Sequence, residues 1–420
     1  MLGADSTFAA HLYGQLSLRS GNLFCSPAII RLALAMAYAG ARGDTASEMQ
    51  RVLALGPEGH TAFTKLLRGW EKLAHPDDPC VAERAAADPA MQKYYEDELD
   101  RRRIVLRVVN RLWAQSGYRF RDEFLALLRD QYRAPLAEFD FHRDPEAGRA
   151  QINKQVSAET EQKITELIAR GLITEDTRLV LTNAVYFKAQ WREQFRLSAT
   201  CEEPFFAEGK REVRVPLMRQ IGTYQLGTFA GGQLLELPYA SGELVMDVVL
   251  PAERDGLPEI ERQFAGGGLR GWLDVLKTAR VDVTLPRFKT SSSFELAEAI
   301  GRLGMAKAFR YRDADFSGMD GTRELFISAV AHQALVDVDE HSTEAAAATA
   351  LGLMLGRAPS AKAPVPFRAD HPFLFLSATP RAPPFCSSAS SSIHNNPCKT
   401  AGARSSPRSG IGRGSSGRSI

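Results

Sequence analysis

The chain has 420 residues, 44% of them apolar and 24% charged, enough for a sizeable core in one large domain or two to three ordinary ones. The net charge of +2 is unevenly placed: residues 377–420 hold six Lys/Arg and no acid, so residues 1–376 carry 46 basic and 50 acidic side chains, without the bias of a nucleic-acid binder. Five cysteines with no CxxC argue against a disulfide framework and a zinc site, no apolar run is long enough for a membrane span, and the polar stretch after Met1-Leu2 does not read as a signal peptide.

Phe8, Leu12 and Leu16 fall at helical spacing and predict an amphipathic first helix. Ser26-Pro27 predicts a second, with Ser as N-cap, Pro at the first helical position, an apolar body over 28–39 and a break at 40–43. Thr45 and Glu48 stand at capping-box spacing at the head of a third. Residues 75–103 mix acids and arginines and read as a solvated helix with its flanking loop. A strand is expected over 104–113, a helix over 122–132, and a strand buried on both faces over 179–187, where the run is apolar nearly throughout. Further strands are expected at 213–218, 233–237, 244–250 and 281–285, and a helix over 294–304. Residues 325–332 lead into a strand-like run at 334–338. Helices and strands interleave without a βα period, so the fold class is mixed α+β.

The segment 339–350 admits two readings. Its alanines suit a short helix. Period two instead puts Thr343, Ala345, Ala347 and Thr349 on one face, all small, with Glu344, Ala346 and Ala348 on the other. Such a stretch can slide between two existing strands at no steric cost. Residues 371–376 form one more strand pattern, after which the chain turns to Ser, Pro, Arg and Gly, a composition that buries no core and predicts disorder over 377–420.

Catalytic signatures are weak throughout. There is no P-loop, HExxH or GxSxG, and the GxGxxG at 412–417 follows no strand and opens no helix. Ser328 and His332 can be written into a triad on paper only, so the chain is read as no enzyme.

Four blocks carry a resemblance: Asn22-Leu23-Phe24-Cys25-Ser26-Pro27, Ala35-Met36-Ala37-Tyr38-Ala39-Gly40-Ala41-Arg42-Gly43, Leu181-Thr182-Asn183-Ala184-Val185-Tyr186-Phe187-Lys188 and Ala314-Asp315-Phe316-Ser317-Gly318-Met319. With the 339–350 segment they occur in the order of the serpins, the serine protease inhibitors, and the chain resembles that family, in a bacterial-type form, over roughly residues 5–376. The resemblance implies a single domain over 1–376 with helices packed around three β-sheets and an exposed reactive-centre loop at about 340–366. It implies a hinge at Glu340, Ser342, Thr343, Glu344, Ala345, Ala346, Ala347, Ala348 and Thr349. A hydrogen-bonded shutter of Ser26, Asn183, Ser328 and His332 would lie beneath the main sheet, and Trp191 at the breach at its top. The implied activity is suicide inhibition of a serine protease by a monomer, with no cofactor, metal, nucleic acid or membrane involved. The family's loop spacing lands on Gly356, and a loop longer by one residue makes Arg357 the acyl donor, selecting a trypsin-like enzyme. Leu355 or Met354 would suit chymotrypsin- or elastase-like enzymes, and Lys362 is a remoter alternative. The family favours an extracellular location, whereas the start of this chain leaves the cytoplasm open.

Three departures bear on this. Ser342 stands where the family usually has Gly, Ile29 where a second shutter Ser is common, and after Leu376 no final apolar strand follows. Two alternatives therefore stand beside inhibition: a non-inhibitory binding or chaperone protein of the same fold, and an inactive product lacking its last strand.

Overall fold

The computed structural model describes residues 2–19, 21–56, 59–74, 92–102, 104–208, 210–340 and 363–378. A five-stranded sheet forms the centre. Its order is β2 (Ala137–Phe139), β1 (Val105–Gln115), β3 (Leu179–Lys188), β10 (Ile327–Val338) and β9 (Phe288–Glu295). As its apolar run requires, β3 is buried on both faces. Val180 and Ala184 pack with Ala329 and Ala331 of β10 toward Ile152 and Val156 of the helix Pro145–Glu159, while Leu179, Leu181, Val185 and Phe187 join the main core. That helix is capped by Asp144, whose Oδ1 accepts from Ala147 N at 2.9 Å, with Pro145 opening the first turn. Small side chains on the central strands let it lie close across the sheet.

The second sheet runs β11 (Val365–Arg368), β8 (Lys277–Pro286), β5 (Arg211–Phe229), β6 (Gly232–Pro238), β7 (Val245–Pro251) and β12 (Leu374–Ala378), with β4 (Cys201–Ala207) also on β5. The three sheets expected therefore appear as two among the described residues. The reason is β5, whose 19 residues pair with β4 over 211–217, with β8 over 217–226 and with β6 over 225–229, joining two sheets into one ladder. The strand patterns at 213–218 and 281–285 were parts of these longer strands. Strand β12 continues two residues past Leu376, because Ser377 and Ala378 complete the antiparallel register with Met246 and Val245. Residues 379–420 lie outside the described residues.

Among the helices, α1 (Leu2–Leu16), α2 (Pro27–Tyr38) and α3 (Gly43–Val52) follow the expected order, and a fourth that the sequence reading did not name, α4 (His60–Ala74), comes after them. Helix α2 is apolar apart from Arg31, whose guanidinium donates to the Leu53 and Ala54 carbonyls, and accordingly sits inside the core. Two details differ from the sequence reading. Helix α3 starts at Gly43 without the capping box, because Thr45 Oγ1 accepts from Asp315 N at 2.9 Å and Glu48 accepts from Lys307 N at 3.0 Å. The expected helix over 294–304 is confined to Ala297–Arg302, since Phe294 and Glu295 finish β9 in register with β10. The contact around Thr45 also explains two of the sequence blocks. Arg42 N donates to Asp315 O at 2.8 Å and Gly318 N to Gly40 O at 3.0 Å. A Cβ at Gly40 would stand 2.1 Å from the Met319 side chain, so only glycine fits there.

One buried charge stands out in the second sheet. Asp247 on β7 lies opposite Glu236 on β6 and Leu376 on β12, is 3% exposed, and has one carboxylate oxygen without a partner. Burial, reinforced by the Glu236 carboxylate, pushes it up to about 8. A carboxyl raised in the folded state favours folding while protonated, and that contribution is lost as pH rises from about 4 to about 8, by up to ~1.4 kcal/mol per unit. Asp247→Asn is expected to raise Tm clearly at pH 8 and little at pH 4.5. Equal shifts at both pH values would show that Asp247 does not titrate in this window.

Candidate functional site

Strands β3 and β10 lie side by side at the middle of the five-stranded sheet and run parallel, from Leu179 opposite Ile327 to Phe187 opposite Val336. Their outer neighbours, β1 and β9, are both antiparallel to them. The chain leaves β10 through Asp339 and Glu340 and is next described at residue 363, ahead of β11 on the second sheet. The intervening segment therefore starts at one end of the β3–β10 seam. Ser342, Thr343, Glu344, Ala345, Ala346, Ala347, Ala348 and Thr349, and the bond candidates Met354, Leu355, Gly356 and Arg357, lie outside the described residues.

A row of polar side chains crosses the seam at mid-height. Asn110 on β1, Asn183 on β3 and His332 on β10 occupy directly opposed positions. Asn183 Nδ2 donates to Ile29 O at 2.9 Å and also to Asn110 Oδ1. A backbone carbonyl can only accept, so the Asn183 amide is fixed and its Oδ1 faces His332. It follows that His332 Nδ1 carries the ring proton and donates to that oxygen, while Nε2 accepts from Ser26 N at 3.2 Å. The imidazole is fully buried, with the Phe294 ring stacked beside it at 6.5 Å, and burial pulls it down to about 3. It is neutral at any physiological pH.

Of the four residues expected in this cluster, the structure brings together Ser26, Asn183 and His332. Ser26 joins through its backbone N–H, and its hydroxyl is buried without a partner. Ser328 stands apart: its Oγ accepts from Arg178 N at 2.9 Å near the far end of β10. Four residues along a strand is about 13 Å, beyond hydrogen-bond reach of His332. Ile29, where a second serine was expected, contributes its main-chain carbonyl instead. Asn110 was missed. Its signal was a lone amide between Val108 and Leu112 on the core-facing side of an apolar strand.

At the loop end of the seam the contacts are different. Trp191 is 3% exposed, stacks on Tyr239 with centroids 4.8 Å apart and planes 9° apart, and donates from Nε1 to Asp339 O at 2.9 Å. Lys188, at the end of β3, pairs with the Asp339 carboxylate at 3.0 Å. Glu340 is only 2% exposed, stands 3.6 Å from the half-exposed Arg287, and keeps one oxygen without a partner. The end of the seam is thus held by an indole, an ion pair and a buried, incompletely satisfied carboxylate. No group of metal-ligating side chains is found among the described residues.

A family model described as "Serpin (serine protease inhibitor)" matches residues 3–384. The chain belongs to the serpin family. Bovine leukocyte elastase inhibitor is 38% identical over 385 residues, spanning 89% of this chain and 94% of that protein. An uncharacterized serpin-like protein of Thermococcus kodakarensis is 36% identical over 376 residues, 90% of this chain and 82% of the other. Among solved structures, uncleaved ovalbumin superposes with a TM-score of 0.78 at 24% identity, covering 94% of this chain and all of ovalbumin. The Tenebrio molitor serpin described as highly specific gives 0.77 at 27% identity, over 93% and 97%. As a serpin the chain belongs with protease inhibitors, not with enzymes.

The fixed tautomer gives a sign to the pH dependence. His332 takes up its proton near 6.5 when unfolded and near 3 when folded, so its contribution to stability is complete above pH 6.5 and is lost as pH falls toward 3. His332→Gln is expected to remove this loss from denaturant-measured stability between pH 6.5 and 4 while leaving the opposite contribution of Asp247, so the variant should gain on the wild type as pH falls; an unchanged difference would contradict the burial argument. Asn183→Ala leaves the His332 donor unpaired and is expected to cost about 2–4 kcal/mol in the same measurement.

Proposed function

We propose that this serpin inhibits a serine protease as a suicide substrate. The enzyme's serine attacks a bond in the segment after Glu340 and forms an acyl-enzyme. The hinge, freed at one end, then turns back from Glu340 and enters the seam between β3 and β10 as a new strand, carrying the acylated protease with it. The observation that carries this reading is the parallel pairing at the seam. A strand turning back from the end of β10 runs antiparallel to both β10 and β3, so insertion replaces one parallel ladder with two antiparallel ones, the more stable arrangement per residue. Small side chains at Thr343, Ala345, Ala347 and Thr349 suit entry beneath the helix Pro145–Glu159, where Ala184, Ala329 and Ala331 already keep the sheet face low.

We place the acyl donor at Arg357, which makes Arg357–Ala358 the reactive bond and suits a trypsin-like enzyme; with Gly356, where the family's usual loop spacing lands, as donor, the bond would be Gly356–Arg357. One observation favours a second reading: the mammalian relatives are named leukocyte elastase inhibitors, which would place the acyl donor at Leu355 or Met354. A bacterial type finds no support in the mammalian and archaeal relatives above.

Purified protein incubated with trypsin or with elastase is expected to give a covalent band of summed mass on a denaturing gel, with cleavage mapped by mass spectrometry after Arg357, or after Met354 or Leu355 for the second reading. Clean loop cleavage with neither enzyme retained would favour the non-inhibitory alternative, and digestion throughout the body the inactive one. Ala347→Arg places a charge on the inserting face; it is expected to abolish the adduct while leaving cleavage at the same bond. An adduct undiminished by this substitution would contradict insertion.

A further inference from the structure

The segment that starts at the β3–β10 seam is anchored at its far end by β11, a short strand at the edge of the second sheet. Among the described residues it meets β8 alone, through four parallel pairs from Val365 opposite Val281 to Arg368 opposite Thr284. Pro366 brings no N–H to that ladder. Val365, Pro366 and Arg368 are exposed, and only Phe367 enters the core. So short a ladder gives β11 little hold of its own.

The rest of the hold comes from the connection that follows. Five residues, Ala369 to Phe373, carry the chain from β11 across to β12, and His371 stands in the middle of them, 7% exposed. Its Nδ1 lies 2.9 Å from Asp370 Oδ1 and its Nε2 3.0 Å from Pro251 O at the end of β7. Asp370 turns its other oxygen to Arg368 Nε at 3.0 Å, and Arg368 reaches on to Glu203 of β4. Burial works against the Asp370 carboxylate, but His371 and Arg368 together hold it below the usual carboxylate range, so it is ionised and can only accept. The Pro251 carbonyl can likewise only accept. Each ring nitrogen therefore faces an acceptor, and the ring satisfies both only while it carries both protons. A neutral ring has one N–H and must turn a lone pair toward the carboxylate or the carbonyl, at a buried position where water does not replace the lost bond.

We propose that His371 is a proton-dependent latch on β11. As the imidazolium it ties the β11–β12 connection to the end of β7; on losing a proton it drops one of its two bonds and loosens the strand that anchors the segment. Histidine exchanges this proton within about pH 5–8, so the latch is closed on the acid side and opens as pH rises. The charges facing it are Asp370 and, through Asp370, Arg368 and Glu203. Arg254, just after β7, lies over Phe206, whose N–H donates to Asp370 O at 2.8 Å. On β7 itself, four residues before Pro251, Asp247 stands opposite Glu236 and titrates in the same direction, so its contribution has to be removed. The latch needs no protease and stands whether or not the segment is a bait.

Hydrogen exchange over residues 365–369 tests the latch in the full chain carrying Asp247→Asn, expressed as protection so that the intrinsic pH dependence of exchange cancels. Protection is expected to fall at least about tenfold from pH 5.5 to pH 8. His371→Lys, whose ammonium stays charged over this range and has donors for both acceptors, is expected to hold protection at the acid level at both pH values. In the NMR spectrum of the chain with His371 in place, that ring is expected to show two N–H protons at pH 5.5 and one at pH 8. Protection that does not change with pH, a fall that persists in His371→Lys, or a ring with the same number of N–H protons at both pH values overturns the latch.

Discussion

The parallel pairing of β3 with β10 is the constraint on which the rest of this structure depends. Parallel partners in one sheet normally owe their adjacency to a crossover connection. Here almost 140 residues separate the two strands, and they build β4 to β8 of the second sheet and β9 before the chain returns, β11 and β12 being added after β10. The seam is therefore closed by side-chain packing and by the cross-strand row at its centre. Ala329 and Ala331 beside Val180 and Ala184 share one apolar cluster with Ile152 and Val156 of the helix Pro145–Glu159, which covers this face of the sheet from outside.

The polar row serves the same seam from within. A hydrogen bond between side chains opposed across two strands depends on both being present, so Asn183 and His332 report on whether the strands touch. Because every member is oriented by a neighbour that can act in only one sense, the row has a single proton arrangement. Such a network specifies one register, and losing one partner exposes the others to the cost of burial without a mate. At the loop end the arrangement is looser: Glu340 is buried with an incomplete set of partners, and Arg287 reaches it from the surface. The seam is thus best held in its middle and least satisfied where an entering strand would begin.

Much of this was legible in the sequence. The nearly continuous apolar run of β3 announced a strand buried on both faces, and the block Ala35 to Gly43 with the block Ala314 to Met319 pointed to residues that do meet, through Gly40 and Gly318. Three of the four polar residues named beneath the sheet do lie together. What could not be read was partnership that only register creates. Ser328 and His332 share a strand and a chemistry, yet their separation along β10 sends the hydroxyl to Arg178. Asn110 looked like an isolated amide until β1 was placed against β3. Thr45 and Glu48 had capping-box spacing, but the contact with Asp315 and Lys307 offered them better use. The continuity of β5 through two sheets likewise has no local signal, since a long strand changes partners without changing its pattern.

The central claim is that the β3–β10 ladder is the less stable of two arrangements open to this chain. The most direct test compares the thermal unfolding of the intact protein with that of the protein cleaved once in the segment after Glu340. If the freed strand enters the seam, the cleaved form should unfold at a markedly higher temperature, and hydrogen exchange at β3 and β10 should slow. A cleaved form that melts at or below the intact one, with unchanged exchange along the seam, would contradict the account.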